Sequence, residues 1–319
     1  MNLLVTGGCG FIGSAFIKEA LKKKRVNKLV NLDALTYAAN PASLWSVKDD
    51  PRYIFRMGNI CKHATVYDAF YAHDITHVAH FAAETHVDNS IASPKAFIDT
   101  NIIGTFNLLE CAKKFKTKRF HHISTDEVYG ALGETGKFSP STPYNPQNPY
   151  SATKASSDFL VRSYGHTFGV NYTISNCSNN YGPYQNKEKF IPVVIKALLS
   201  GRKVPVYGKG DNIRDWIYVN DHAQAVWKIL SRGKRGETYL VGANNEKTNL
   251  QIIKAICGIL KLNPKKSIEF VKDRAGHDFR YAIDASKIEK ELRWHPKKDF
   301  ETGLKDTIKW YTKTLKDEL

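Results

Sequence analysis

Tyr150 and Lys154 have the types and spacing of a phenol and an ammonium that act together on a proton. Side chains four residues apart lie on one face of a helix. A free tyrosine has a pKa of about 10, and the Lys154 ammonium would lower it. Ionisation at neutral pH requires about 4 kcal/mol of preferential stabilisation of the phenolate. The pair predicts a general base, although the Tyr-x-x-x-Lys spacing is common by chance.

A second group of reactive side chains lies in the segment Ser124-Thr125-Asp126-Glu127-Val128-Tyr129-Gly130. Thr125 could hydrogen-bond a substrate hydroxyl, and Asp126 and Glu127 are adjacent carboxylates. Neighbours in a regular strand point to opposite faces. Both carboxylates therefore reach one substrate only if the chain turns here. Acidic residues after a strand are also common as helix caps, which is the alternative interpretation.

An alternation of strands and helices positions both groups. Apolar runs predict strands over residues 3–6, 28–33, 53–57, 77–81, 119–124 and 172–176, and helices over 12–24, 64–73, 96–115 and 151–168. This rhythm predicts an α/β fold with a doubly wound parallel (Rossmann) sheet covered on both faces. The acidic segment then falls at the carboxyl edge of the sheet, where open sheets bind ligands.

The first turn predicts a dinucleotide site. Gly7, Gly10 and Gly13 follow the first strand, open a helix and have the Gly-x-x-Gly-x-x-Gly spacing. Glycine permits the tight turn and the close approach of backbone to pyrophosphate, and the helix N-terminus supplies free N–H groups. Asp33 ends the second strand, where a carboxylate hydrogen-bonds the adenosine ribose and repels a 2′-phosphate. The sequence therefore favours NAD over NADP, with a simple capping aspartate as the alternative.

The ends of the later strands extend this site. Asn59 and Ile60, after the third strand, are expected beside the adenine. Phe81, Ala82 and Ala83, after the fourth strand, would let the cofactor lie close to the backbone. The positive nicotinamide ring would add to Lys154 in lowering the tyrosine pKa.

The strand–helix rhythm loosens after residue 176. Short strands predicted at 204–207, 237–241 and 268–271 alternate with helices and with loops containing Pro and Gly. We expect a dinucleotide-binding domain over residues 1–176 and a smaller, mixed α/β region over 177–319 that mainly binds substrate. Because no linker separates them, we expect the two parts to be intertwined.

Composition excludes several classes of protein. The 319 residues carry a net charge of +16, but the lysines are spread along helices without interleaved aromatics, so we expect no nucleic-acid partner. No apolar run approaches the roughly 20 residues of a membrane span, and no secretory signal is visible. The five scattered cysteines predict free thiols in a reducing compartment, with no metal site and a cytoplasmic location. The final Lys-Asp-Glu-Leu matches the ER-retention tetrapeptide, and we expect this to be coincidence.

The motifs together resemble the dTDP-glucose 4,6-dehydratases of the extended short-chain dehydrogenase/reductase family. The similarity covers nearly the whole chain and is carried by TGGCGFIG, LDALTYAAN, HFAAETHVD, ISTDEVYG, YSATKASSD, NCSNNYGPYQNKEKFIP, VYGKGDNIRDWIYVNDHA and DRAGHDFRYAID. The STDEVYG segment is the most specific, because related epimerases and decarboxylases usually lack its Asp-Glu pair. Two features depart from the pattern: the loop after Gly130 is short, and Asn59 stands where an aspartate is usual.

This resemblance implies that the protein converts dTDP-glucose or UDP-glucose to the 4-keto-6-deoxy sugar nucleotide and water through NAD. It implies that Tyr150 takes the proton of the sugar 4-hydroxyl and that Lys154 tunes the tyrosine and holds the nicotinamide ribose. Asp126 is implied as the acid for the departing 6-hydroxyl, and Glu127 as the base at carbon 5. It also implies a homodimer, with helices 96–115 and 151–168 forming a four-helix interface, and a role in deoxysugar or rhamnose biosynthesis.

The same resemblance implies two sets of binding residues. The cofactor would contact the glycine turn, the strand ends and the catalytic helix through Gly7, Gly10, Phe11, Ile12, Gly13, Asp33, Ala34, Leu35, Thr36, Asn59, Ile60, Phe81, Ala82, Ala83, Thr100, Tyr150, Lys154 and Asn180. The hexose, diphosphate and nucleoside would contact His86, Thr125, Asn179, Lys189, Phe190, Pro205, Val206, Tyr207, Arg214, Asn249, Arg274 and His277. Arginine suits a diphosphate because guanidinium makes bidentate pairs with phosphate oxygens.

Two alternatives remain at the level of the sequence. A UDP-sugar 4-epimerase or UDP-glucuronate decarboxylase would use the same tyrosine and NAD without needing the acid–base pair. A non-catalytic NAD- or RNA-binding protein would need none of Tyr150, Lys154, Asp126 and Glu127, and only the basic composition favours it.

Overall fold

The computed structural model describes residues 1–272 and 278–316. The strands are β1 (Asn2–Thr6), β2 (Lys28–Asp33), β3 (Tyr53–Met57), β4 (His77–His80), β5 (Arg119–Thr125), β6 (Tyr172–Cys177), β7 (Asn179–Tyr181), β8 (Val204–Tyr207), β9 (Ile213–Tyr218), β10 (Thr238–Val241), β11 (Glu246–Thr248) and β12 (Ile268–Val271). The α-helices are α1 (Phe11–Leu21), α2 (His63–His73), α3 (Val87–Ala92), α4 (Pro94–Phe97), α5 (Gly104–Lys114), α6 (Pro149–Phe168), α7 (Phe190–Leu199), α8 (Val219–Arg232), α9 (Asn249–Ile259), α10 (Pro264–Ser267), α11 (Ser286–Leu292) and α12 (Phe300–Lys316). Short 3₁₀ helices cover Pro41–Val47 and Asp126–Tyr129.

Seven parallel strands form the central sheet in the order β10-β6-β5-β4-β1-β2-β3. The chain winds outward from β1 through β2 to β3, then returns to β4 and winds the other way. The strand order therefore reverses between β1 and β4, which is where doubly wound sheets bind ligands. This confirms the predicted Rossmann architecture.

The sheet is buried on both faces, as its continuously apolar strands predicted. One face packs against α2, α5 and α6 around Phe70, Leu108 and Phe120. The other packs against α1 and α8 around Phe16 and Val226. Two helical layers thus hold the carboxyl ends of the strands rigidly along one edge.

The predicted helix over 96–115 is interrupted. It consists of α4, a π-helical turn at Ile98–Ile103 and α5. The buried Asn101 lies within the π turn, and its side chain bonds the backbone of Glu84 and the hydroxyl of Thr153. Because π turns insert a residue into the helical ladder, periodicity alone did not reveal this interruption.

A smaller region covers the carboxyl edge of the sheet. Its core lies between α7, α9, α12 and the strands β8 and β9. However, α8 packs on α1, and β10 pairs with β6 as an edge strand of the main sheet. The division at residue 176 and the intertwining of the two parts stay predictions, while α8 and β10 of the later segment belong to the layers of the larger unit.

Three further features concern the chain as a whole. No helix in the described ranges is both long and apolar enough to cross a membrane. The cysteines are all free, and Cys61 alone among the five is not buried. Among the same described residues, no group of three His, Cys, Asp or Glu side chains could hold a metal ion.

Candidate active site

The turn after β1 is shaped for a close backbone approach. Gly7 adopts a φ of +69°, and its N–H donates to the carbonyl of Leu32 at 3.0 Å. A Cβ at Gly7 would lie 2.7 Å from the Ala82 backbone, and one at Gly13 would lie 2.3 Å from the Gly7 carbonyl oxygen. Side chains at these two positions would therefore collide with neighbouring backbone, so glycine is needed for the tight turn and the close helix–strand packing that a dinucleotide-binding turn has.

We expect Gly7→Ala to lower stability and to abolish retention of the dinucleotide. The left-handed backbone costs about 1–2 kcal/mol for an L-residue, and the contact with Ala82 adds to that cost. Denaturant unfolding with and without added dinucleotide measures both effects. Gly133→Ala is the matched control, because a Cβ there meets nothing within 4 Å. Equal behaviour of the two variants would contradict this account of the turn.

Asp33 ties the glycine turn to the end of β2. Its Oδ2 accepts the N–H of Cys9 at 2.8 Å, and its Oδ1 accepts the N–H of Leu35 at 2.8 Å. The buried carboxylate also lines the cavity described below. Asp33 therefore caps backbone donors and faces the cavity, so the two interpretations of this residue do not exclude each other.

A cavity of about 330 Å³ runs from the glycine turn to the acidic segment. It brings together most of the predicted residues: Gly7, Gly10, Phe11, Ile12, Gly13, Asp33, Ala34, Thr36, Asn59, Ile60, Phe81, Ala82, Ala83, Thr100, Thr125, Asp126, Glu127, Tyr150, Lys154, Asn179, Asn180 and Lys189. Most of these residues come from the carboxyl ends of parallel strands and from the starts of α1 and α6, while Thr100 lies in the π turn and Lys189 precedes α7. Residues far apart in sequence thus form one continuous site.

The chain turns where the two carboxylates require it to turn. Strand β5 ends at Thr125, and the 3₁₀ helix Asp126–Tyr129 follows directly. The Thr125 hydroxyl accepts the N–H of Glu127 at 3.3 Å, so the threonine caps this turn. We call residues 125–129 the acidic turn. It presents the side chains of Thr125, Asp126 and Glu127 to the same cavity.

The electrostatics of the acidic turn separate its two carboxyls. Burial raises the pKa of Asp126 well above its usual range, and the charge of Glu127 adds to this. Burial also raises the pKa of Glu127, but the positive charges of Arg214 and Lys189 oppose the rise. Asp126 Oδ2 is buried without a hydrogen-bond partner within the described residues. Asp126 is therefore suited to hold a proton, and Glu127 to accept one.

Helix α6 begins where it can present Tyr150. Asn148 caps it, with its Oδ1 accepting the N–H of Ser151 at 2.9 Å, and Pro149 occupies the first helical position. Tyr150 and Lys154 follow on one face of the helix, as their spacing predicted, and both are buried. The Lys154 Nζ donates to the carbonyl of Ile123 at 2.8 Å.

The expected lowering of the Tyr150 pKa is not produced by the protein's own groups. Burial raises this pKa well above its usual range, and the charge of Glu127 adds to the rise. A hydrogen bond with Thr125 opposes these effects without outweighing them. Lys154, whose own pKa burial lowers, bonds a backbone carbonyl. The charge of the Lys154 ammonium therefore does not lower the pKa of a tyrosine as deeply buried as Tyr150.

Two predicted phosphate-binding cations have different surroundings. Lys189 lines the cavity, and its Nζ donates to the carbonyl of Thr85 at 3.2 Å. The Arg214 guanidinium donates to the carbonyls of Ile213, Asp278 and Phe279 and lies over the ring of Tyr281. Lys189 thus lines the cavity and bonds one backbone carbonyl, whereas Arg214 does not line it and its guanidinium bonds three backbone carbonyls.

The other predicted residues that the structure describes do not line this cavity. Leu35 bonds Asp33, His86 caps α3, and Asn249 opens α9. Phe190 and Val206 pack in or against the core of the smaller region, while Pro205 and Tyr207 are exposed on β8. Arg274 and His277 lie outside the described residues.

Sequence reasoning missed several polar residues of the cavity. These come mainly from two loops and are Glu84, Thr85, Ser178, Gln185, Asn186 and Glu188. They adjoin the predicted Ala83, Asn179 and Lys189, so proximity in sequence was the available signal. A loop residue's direction depends on the backbone around it, which the motif patterns did not specify.

The parallel sheet, the glycine turn and the Tyr150–Lys154 pair define a dinucleotide-binding enzyme of the short-chain dehydrogenase/reductase class. The family model described as GDP-mannose 4,6 dehydratase matches residues 4–307. The chain is 49% identical to the dTDP-glucose 4,6-dehydratase of Neisseria meningitidis, over 97% of this chain and 93% of the relative.

Solved structures agree with these matches. DesIV of Streptomyces venezuelae, a dTDP-glucose 4,6-dehydratase with NAD and TYD bound, superposes with a TM-score of 0.95 at 41% identity, covering 98% of this chain and 97% of that one. A UDP-glucose 4-epimerase of Thermotoga maritima with UDP-glucose reaches 0.91 at 28% identity, covering 99% and 100%. The chain belongs to the family of nucleotide-sugar 4,6-dehydratases, to which the more similar of these relatives also belong.

Proposed function

We propose that the protein is an NAD-dependent hydro-lyase that converts dTDP-glucose to its 4-keto-6-deoxy derivative and water. The observation that carries the proposal is the acidic turn, which presents Asp126 and Glu127 to the cavity that also holds Tyr150. An epimerase or a decarboxylase of this fold needs the tyrosine but no acid–base pair for dehydration. The names of the relatives at about half identity favour a dTDP-linked substrate over a UDP-linked one.

Each reactive side chain has a role that its surroundings support. Tyr150 takes the proton of the 4-hydroxyl, and Lys154 stands one helical turn away as its cation. The ketone formed at carbon 4 acidifies the hydrogen at carbon 5, which Glu127 removes as a proton and gives back to carbon 5 when the carbon 5–carbon 6 double bond is reduced. Asp126, whose pKa is raised by burial, delivers a proton to the departing 6-hydroxyl. Thr125 and Asn179 orient the hexose between these groups.

The glycine turn, Asp33 and the strand ends at Asn59 and Ala82 would hold NAD. When bound, NAD supplies a hydride acceptor that becomes the donor for the final step, together with a positive ring charge that lowers the Tyr150 pKa. The diphosphate and nucleoside are assigned to Lys189 and Arg214, with Asn249, Arg274 and His277 as further contacts. For Arg214 this assignment requires the guanidinium to bind phosphate while it remains bonded to the backbone.

Incubation of the purified protein with dTDP-glucose and, in parallel, with UDP-glucose tests the proposal. Mass spectrometry should find a product lighter by one water, formed faster from dTDP-glucose. An epimerase would keep the mass of the substrate, and a binding protein would leave the sugar unchanged. A decarboxylase would act only on the glucuronate. Sugar nucleotides of unchanged mass in both incubations would therefore contradict the proposed function.

We expect the purified protein to carry NAD and not NADP. The buried Asp33 carboxylate faces the cavity, and a 2′-phosphate beside it would be repelled. Denaturing the protein and identifying the released nucleotide measures the preference. Loading cofactor-free protein from an equal mixture of NAD and NADP is the control for availability in the expression host. Recovery of NADP from that mixture would contradict the role given to Asp33.

We further propose a homodimer that works in the cytoplasm, in a pathway for deoxysugars such as rhamnose. Ile103, Phe106 and Phe159 are exposed apolar residues at the end of the π turn, on α5 and on α6. Exposed apolar side chains on two adjacent helices suit a symmetric four-helix interface. Sedimentation of the parent and of a Phe159→Lys variant would test this interface.

A further inference from the structure

A stripe of charged residues continues from Tyr150 along the buried face of α6. Lys154, Asp158 and Arg162 follow at intervals of four residues, so successive members lie one helical turn apart. Asp158 is completely buried and does not line the cavity. A buried carboxylate is costly unless it is paired and hydrogen-bonded, and the flanking cations Lys154 and Arg162 supply part of this compensation.

The rest comes from donors that converge on one oxygen. Asp158 Oδ2 accepts the Ser124 hydroxyl at 2.9 Å, the Tyr144 hydroxyl at 2.8 Å and the Asn176 amide at 3.2 Å. Its Oδ1 lies 3.2 Å from His122 Nε2. These partners come from β5, from β6 and from the loop before α6. Asp158 therefore connects these elements to the catalytic helix α6 by hydrogen bonds.

Two of these partners lead directly to the acidic turn. Ser124 immediately precedes Thr125 in the chain. The Asn176 amide also donates to the Thr125 carbonyl at 3.0 Å, and its oxygen accepts the Tyr129 hydroxyl at 3.5 Å. Both ends of the acidic turn are thus attached to side chains that bond Asp158.

We propose that Asp158 is a positioning residue for the dehydration. Through Ser124 and Asn176, its carboxylate holds the acidic turn against α6 and so fixes Asp126 and Glu127 relative to Tyr150. A misplacement of about 1 Å can cost roughly 10²-fold in rate, so these contacts beneath the site control the elimination step. The proposal rests on the dehydratase function proposed above.

The Ser124 and Tyr144 hydroxyls provide a matched pair of variants. Each donates one hydrogen bond of nearly equal length to the same Asp158 oxygen. Ser124 is joined to Thr125 by the peptide chain, whereas Tyr144 meets the far end of the acidic turn with its ring against that of Tyr129, a ring contact that Tyr144→Phe keeps. Ser124→Ala is expected to slow elimination by roughly 10- to 100-fold, whereas Tyr144→Phe should stay close to the parent rate. In a single-turnover experiment, oxidation at carbon 4 is measured as formation of the reduced cofactor. The reduced cofactor is consumed only after water has been eliminated, so its decay measures the elimination step. Denaturant unfolding reports the stability that each variant loses.

Ser124 also lines the cavity and could act there directly. Asp158→Asn, made alone and combined with Ser124→Ala, tests whether Ser124 acts instead through its hydrogen bond to Asp158. If both residues act through one link, the double variant eliminates water no more slowly than Asp158→Asn alone. Equal slowing by Tyr144→Phe, or effects that multiply in the double variant, would overturn the inference. If Asp158→Asn does not fold, the matched hydroxyl pair decides alone.

The outcome for the parent protein keeps the two proposals distinct. A parent that forms no 4-keto product contradicts the proposed function. If the parent turns over normally, and Ser124→Ala and Asp158→Asn both eliminate water at the parent rate, only the role of Asp158 is contradicted. Retained cofactor in each variant, measured after denaturation, excludes loss of NAD as the cause of a slow step.

Discussion

Glu127→Gln is expected to leave oxidation at carbon 4 intact and to block loss of water. The amide keeps the size of the carboxylate but cannot remove the proton at carbon 5. Asp126→Asn should also retain oxidation and should slow elimination by roughly 10²–10⁴-fold, as is typical for loss of a general acid. In rapid mixing with substrate, both variants should therefore accumulate reduced cofactor that persists.

Two controls make this result specific to the acidic turn. Glu134→Gln changes a carboxylate in the loop after the turn, outside the cavity, and should behave as the parent. Exchange of the carbon 5 hydrogen with deuterated solvent should disappear in Glu127→Gln and remain in Asp126→Asn. If both cavity variants eliminated water at the parent rate, the assignment of acid and base would fail.

The second large effect concerns the hydrogen of carbon 4. A tyrosine base beside a hydride acceptor implies removal of this hydrogen, and Asp126 with Glu127 implies elimination across carbons 5 and 6. Because the acceptor is regenerated in each turnover, the hydrogen removed must be the hydrogen returned. Substrate deuterated at carbon 4 is therefore expected to give product deuterated at carbon 6 of the same molecule.

Mass spectrometry of a mixture of labelled and unlabelled substrate measures this transfer. Intact retention within labelled molecules, with no label in the others, is the expected pattern. An epimerase would return the label to carbon 4, and so would a decarboxylase after loss of carbon 6 as carbon dioxide. Label at carbon 4, or label scrambled between molecules, would exclude the dehydratase mechanism.

The sequence by itself determined the local elements and the chemistry they present. Alternating apolar runs and the glycine spacing depend on neighbours along the chain, so the first six strands and the turn at Gly7 were predictable. The same holds for Tyr150 and Lys154, whose shared face follows from helical geometry. The pair Asp126 and Glu127 was recognisable as a candidate from its types and its place after a strand, whereas its roles as acid and base were implied by the resemblance to the dehydratases.

Only the tertiary structure decided features that depend on contacts between distant segments. Strand order is not local, so the pairing of β10 with β6 could not be deduced from the residues of β10. The pKa of Tyr150 was expected to fall, but burial raises it, because desolvation depends on everything packed around the phenol. The bonds from Arg214 to the backbone of residues 278 and 279 likewise depend on segments that are distant in the sequence.

Asp158 shows this division most clearly. Its position eight residues after Tyr150 places it on the catalytic helix, which the sequence specifies. Its partners Ser124, Tyr144 and Asn176 lie 34, 14 and 18 residues away along the chain. A carboxylate can connect several elements only when hydrogen-bond donors from each of them lie around it. That arrangement of donors is a property of the packed fold.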